Sequence, residues 1–137
     1  MNTEILNLVK QYEEPGDFTY TIPSEDKILE AEKKLLLTLP EAYKDFLRKF
    51  GHGGIGGIEI IGIGKNGVFL FVSETLKFRR YKLPNNLVVV ENCDEWIYCI
   101  NCIDFSVVSW SNGVVESAYT DFDTYLLDRF KDAAENL

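Results

Sequence analysis

The sequence offers one histidine, three cysteines, a glycine-rich run and several paired carboxylates from which a reactive site could be built. His52 stands in Gly51-His52-Gly53-Gly54. An imidazole in a flexible turn can act as a general base near neutral pH. No serine or cysteine beside it completes a nucleophile motif, and a polar turn residue is the plainer reading. Cys99-x-x-Cys102 has the spacing of a redox pair or half a zinc site. Tetrahedral zinc needs four ligands, and only Cys93 and His52 remain as soft donors. The pair lies in a strand-like run, where odd spacing sends side chains to opposite faces. The pair is read as small buried fillers, and the three cysteines fit a reducing compartment.

Gly51–Gly64 holds seven of the ten glycines. A phosphate-cradling loop runs strand, loop with Lys-Ser/Thr, then helix. Here the order is helix, loop, strand, and no Gly-Lys-Ser/Thr occurs. The dinucleotide fingerprint fails on the same order. Of the acid pairs, Asp94-Glu95 falls in a turn without calcium-loop spacing, and Asp121/Asp123 suits a helix N-terminus. No catalytic residue, metal or cofactor is expected.

The net charge of −8 is placed unevenly. Residues 1–82 carry 12 acids and 12 bases. Residues 83–137 carry 10 acids against Arg129 and Lys131 alone. Such a field repels nucleic acid, whose phosphates need basic contacts. It attracts a basic partner and speeds the encounter, and it also serves solubility. Arg79, Arg80 and Lys82 form the one dense basic cluster, an anion patch or a solvated helix end. Trp96, Tyr98, Trp110 and Tyr119 lie in the acidic half, as core or as an aromatic interaction surface. At 137 residues one domain, 1–137, is expected. No apolar run approaches the roughly 20 residues of a membrane span. The first residues lack a secretion signal, so the cytoplasm is the expected compartment.

The elements that position these residues are organised around Leu39–Gly64. Tyr43, Phe46, Leu47 and Phe50 fall at i, i+3, i+4 and i+7, one buried helical stripe. Pro40 suits the first helical position, Gly51 the stop, and Asp45/Lys49 an i,i+4 pair. Ile58, Ile60 and Ile61 predict a buried strand, joined by an Asn66-Gly67 hairpin to 68–72. Ser73 then caps a short helix. Upstream, Ile5, Leu8, Val9 and Tyr12 predict a helix capped by Asn2 or Thr3. A Ser24-capped helix follows, with Ile28, Ala31 and Leu35 inward and Glu30/Lys34 paired outside. Downstream come strands 87–91 and 95–102, the second central. A hairpin over Asn112-Gly113 sets Trp110 opposite Val115 and Ser109 opposite Glu116. A capping box of Thr120 and Asp123 opens the last helix, with Phe122, Tyr125, Leu126, Phe130 and Ala133 inward. The expected fold class is α+β: a mainly antiparallel sheet covered by N-terminal helices and a C-terminal helix.

Leu39-Pro40-x-x-Tyr43-x-x-Phe46-Leu47, a short Gly-Gly segment and a strand resemble the SUKH superfamily. The order of elements extends the resemblance over about residues 20–130. The chain has Gly51-His52-Gly53-Gly54 where relatives often show Asn-Gly-Gly, and Asn101 where they often carry aspartate. The resemblance implies an immunity protein that binds a cognate polymorphic toxin, often a nuclease, and occludes its active site. The superfamily's yeast cell-wall regulator implies an alternative, a non-enzymatic intracellular scaffold. A small hydrolase using His52 is the third reading. The family's recognition surface is variable and transfers no motif, so contacts are chosen from the charge distribution. Asp94, Glu95, Asp104 and Glu116 are expected to meet a basic toxin protein. No cofactor, nucleic acid or membrane is expected as partner.

Overall fold

Five helices and one antiparallel sheet carry the apolar stripes, and the computed structural model describes all of residues 1–137. In chain order they are α1 (Thr3–Tyr12), α2 (Glu25–Leu35), α3 (Glu41–Phe50), α4 (Leu70–Arg79), β1 (Leu87–Asn92), β2 (Ile97–Asn101), β3 (Val107–Ser111), β4 (Val114–Tyr119) and α5 (Phe122–Glu135). This is the expected α+β class.

The helical stripes are buried: Ile5 and Val9 on α1, Ile28, Ala31 and Leu35 on α2, and Tyr43, Phe46, Leu47 and Phe50 on α3. The Asn2 side chain accepts from the Glu4 N–H and Ser24 from the Lys27 N–H, so both expected caps form. Pro40 is the N-cap of α3 rather than its first residue, because its ψ of 148° is extended. The expected i,i+4 pairs are replaced by Lys27–Glu30 and Asp45–Arg48 at i,i+3. Arg48 also reaches Glu25 and Glu41, which fixes its direction.

The strand expected through Ile58–Ile61 does not form. Gly53 and Ile60 make only an isolated bridge, as do Ile63 and Phe69. The segment is pinned by single bonds to several elements instead. The Tyr43 hydroxyl donates to the Ile61 carbonyl at 2.6 Å in the core. Ile61 N–H donates to Val90 on β1, and Ile63 N–H to Gly51. Ile55, Ile60, Ile61 and Ile63 are therefore buried as a plug, not along a ladder. Asn66-Gly67 does turn the chain, with Gly67 N–H bonded to Gly64 and Gly64 N–H to Val68. The apolar run after it is a helix, because a short apolar run fits a buried helix as well as a strand. Ser73 lies inside α4, its hydroxyl donating to the Phe69 and Leu70 carbonyls, and caps nothing.

The sheet order is β1-β2-β3-β4, antiparallel throughout, with β2 interior as expected. Asn112 and Gly113 have φ of 48° and 84°, which a type I′ turn requires. The register places Trp110 opposite Val115 and Ser109 opposite Glu116, as read from the sequence. α4 covers one face, with Phe78 edge-on to Trp110 at 6.1 Å. α5 covers the other, with Tyr125 against Tyr98 at 5.3 Å. The cap of α5 is Asp121, which accepts from the Thr124 N–H at 2.8 Å, in place of Thr120. One cluster of 33 buried hydrophobic residues joins helices, plug and sheet. The middle of β4 lies outside that cover, and its side chains from Val114 to Ala118 are exposed.

Candidate functional site

Side chains alternate along β2, β3 and β4, so Tyr98, Ser109 and Glu116, paired across the sheet, share a face. α5 covers only part of it. The remainder is an open hollow of about 400 Å³, lined by Glu95, Trp96, Tyr98, Ser109, Ser111, Val114, Glu116 and Ala118. The Ser111 hydroxyl donates to the Glu95 carbonyl at 2.8 Å and ties the β1–β2 turn to β3. Asp94 sits at the tip of that turn with φ 69°, its N–H bonded to the Asn92 side chain. Asp94, Glu95 and Glu116 are exposed, and their carboxylates take no hydrogen bond or ion pair from the chain.

Asp104 is not part of this hollow. It lies in the turn beyond the opposite end of β2. The Ser106 hydroxyl and N–H donate to it at 2.7 and 3.0 Å. Those bonds, the hydroxyl's first, hold its carboxyl below the usual carboxylate range. Of the four acids expected to act together, Glu95 and Glu116 line the hollow, Asp94 stands next to Glu95 at the tip of the turn, and Asp104 lies apart. Of the four aromatic residues, Trp110 is core, Trp96 and Tyr98 are half-buried in the hollow's lining, and Tyr119 is half-buried beside Tyr98.

A buried ion pair under α5, on this same face of the sheet, is the largest feature the sequence did not reveal. The register of β1 on β2 shifts between Val89 and Glu91, so Val90 is an extra residue. Without that bulge Glu91 would face Ile97. With it, Glu91 pairs with Tyr98 and turns toward α5. There Arg129 Nε and Nη2 donate to its two oxygens at 2.9 and 2.6 Å, and the Tyr125 hydroxyl donates at 2.7 Å. The guanidinium also lies 5.5 Å from the centre of the Tyr98 ring. Glu91 raises Arg129 above the ordinary arginine value, so the cation is fixed. Tyr125 and Arg129 are four apart on α5, which was the available signal. One of the two cations in the acidic half is thus committed to a buried carboxylate.

His52 proves to be a splint. Its Nδ1 accepts the Gly62 N–H at 3.0 Å, which places the ring proton on Nε2, 2.8 Å from Glu59. The hollow beside it is lined by Glu59, Ile61, Leu70, Glu74, Lys77 and Asn92, and contains no nucleophilic hydroxyl or thiol. No helix is long and apolar enough to cross a membrane.

A family model described as SUKH_5, SMI1-KNR4 cell-wall, matches residues 3–131, from the start of α1 well into α5. The chain belongs to the SUKH_5 family. A crystal structure of a protein from Pseudomonas syringae pv. tomato superposes with a TM-score of 0.72. The two are 21% identical over 88% of this chain and 91% of that one, a likeness of fold.

In this SUKH_5 chain the other candidate residues have structural work. Arg79 donates to the Leu35 and Asn85 carbonyls at 3.0 and 2.9 Å, closing the end of α2 onto the β1 turn. Asn101 accepts from Asn86 and from the Ile103 N–H, a part that an aspartate could also fill. The cysteines are free, Cys99 inside β2 and Cys93 and Cys102 half-buried. No group of three or more His, Cys, Asp or Glu side chains gathers as metal ligands would. Burial pushes the Cys93 and Cys102 thiols from 9.0 up to about 12, and Cys99 higher still. The folded thiols hold their protons more tightly than unfolded ones. Their contribution to stability is therefore intact below about pH 9 and falls as pH climbs toward about 12. Iodoacetamide at pH 8 is expected to label the folded chain at least about tenfold more slowly than the urea-unfolded chain. Equal rates would contradict the burial assigned to them.

Proposed function

We propose that this chain is a non-enzymatic binding protein of the immunity type, acting in the cytoplasm of a bacterial cell. It holds a cognate basic toxin, in the first instance a nuclease domain, and occludes its active site. The supporting observation is the hollow on the sheet. Glu95 and Glu116 stand unpaired beside Trp96 and Tyr98, with Asp94 free at the adjoining turn, and Arg129 is committed to Glu91.

Occlusion asks for no bond-making by this chain. A groove built to hold a phosphate backbone presents lysine and arginine, and carboxylates at matching positions satisfy those cations in place of phosphate. The acidic field steers the encounter, with rates up to about 10⁸–10⁹ M⁻¹s⁻¹ at low salt. The half-buried aromatic rings supply the anchors that such interfaces concentrate at their centres. Asp104, at the far end of β2, meets only a partner broad enough to span the strand.

The test is capture of partners on the tagged chain from the native cell lysate, followed by assay of what is captured. A single dominant basic protein whose enzymatic activity falls to background on adding one equivalent of the chain is the expected result. The family's cell-wall description favours a second reading, a regulatory scaffold. Several weakly held housekeeping proteins, none of them inhibited, would replace the first reading with that one.

A further inference from the structure

We infer that β4 is the docking edge. An extended, basic segment of the partner adds beside Val114–Tyr119 as a fifth antiparallel or parallel strand. This rests on the acidic-face reading above and specifies how the partner engages it.

The sheet has two edges, and one is closed. On β1 the Val89 N–H donates to the buried Thr75 hydroxyl at 3.0 Å, and the Val90 carbonyl accepts from the Ile61 N–H at 2.7 Å. α4 and the plug thus occupy the bonds that a new strand would need. On β4 nothing does. It pairs with β3 alone, and residues 114–118 make no hydrogen bond to any other part of the chain. A two-residue hairpin makes Ser111/Val114 and Ser109/Glu116 the bonded pairs, which turns the N–H and C=O groups of Val115 and Ser117 outward. Six residues of strand are enough to seat a partner strand of ordinary length.

Natural sheets protect such an edge with lysine, proline, a bulge or a cover. β4 has no lysine, no proline and no cover, and its one irregularity lies at the far end, opposite Val107/Val108. Val114 and Val115 remain 56% and 45% exposed. Its single charge is Glu116, facing the hollow with Glu95. That charge selects the occupant. A second copy pairing through β4 brings Glu116 toward Glu116, and like charges across strands repel. A strand with lysine or arginine on the hollow side, alternating with β-branched residues on the Val115 side, meets opposite charge on one face and apolar surface on the other. Backbone bonds then supply affinity, and the alternating side chains supply selectivity.

The probe is a fluorescent peptide of alternating lysine and valine, titrated into the full chain by anisotropy. Its control is the same peptide N-methylated at alternate amides, with charge and side chains unchanged. N-methylation is expected to weaken binding at least about tenfold, and the unmodified peptide to slow hydrogen exchange at the Val115 and Ser117 amides. Ser117→Pro, which deletes one outward N–H at a position where an edge tolerates proline, should weaken it similarly. The methylated peptide keeps the test valid if that variant misfolds. Equal binding of both peptides, with Glu116→Lys still abolishing it, overturns strand addition and leaves the acidic-face reading standing. Loss of neither on Glu116→Lys overturns both. No binding of either peptide up to about 1 mM overturns strand addition alone. A concentration-dependent dimer blocked by Ser117→Pro overturns the choice of a basic occupant.

Discussion

Replacing Arg129 by methionine should lower stability by about 3–5 kcal/mol, read from the midpoint of urea unfolding. The side chain of Glu91 is 5% exposed and that of Arg129 17%. Both carboxylate oxygens are held by the guanidinium, and one also by the Tyr125 hydroxyl. Methionine keeps the stem of the side chain, so packing against Tyr98 is largely retained. What is lost is the countercharge, which leaves a buried carboxylate with one neutral donor. The double variant Glu91→Leu/Arg129→Met should recover most of the loss, because an apolar pair of similar volume needs no countercharge. A loss under about 1 kcal/mol in the single variant would mean the pair behaves like a surface ion pair.

Gly53→Ala should be of similar size, about 3–5 kcal/mol, from backbone strain and overlap together. Gly53 has φ 121°, and a Cβ there would run into the Asp17 carbonyl. The position cannot relax easily. Gly53 bridges Phe18 on one side and Ile60 on the other, exchanging 3.0 Å bonds in both directions with Ile60. Gly57→Ala is the control: φ is 83°, but a Cβ meets nothing within 4 Å, so only about 1 kcal/mol is expected. Equal losses at the two positions would show that strain alone, and not the close approach to Asp17, decides the Gly53 result.

What the sequence made legible was local. The α3 stripe needs only helical spacing, and the Asn112-Gly113 turn sets its own register, so Tyr43, Phe46 and the Ser109–Glu116 pair were all placed correctly. What it hid depends on distant partners. Ile58–Ile61 has strand-like residues, but its N–H groups go to Gly53, Val90 and others outside a ladder. Leu87–Asn92 is so uniformly apolar before Glu91 that nothing marks Val90 as a bulge, and a slip of one residue moves Glu91 to the other face. The candidate site shows the same division. Charge counting found the acidic half, but Asp104 and Glu116 look alike in a sequence. Only the structure shows Ser106 engaging Asp104 and nothing engaging Glu116.

Asp94, Glu95 and Glu116 are proposed to form the face that holds a basic partner. The most direct measurement compares capture from the native lysate by the wild-type chain and by the Asp94→Lys/Glu95→Lys/Glu116→Lys variant, at low and high salt. All three residues are exposed, so the urea midpoint of the variant should match the wild type and exclude misfolding. One dominant basic protein is expected on the wild type at low salt, released by high salt and absent from the variant. The same protein held equally by both, at either salt, would contradict it.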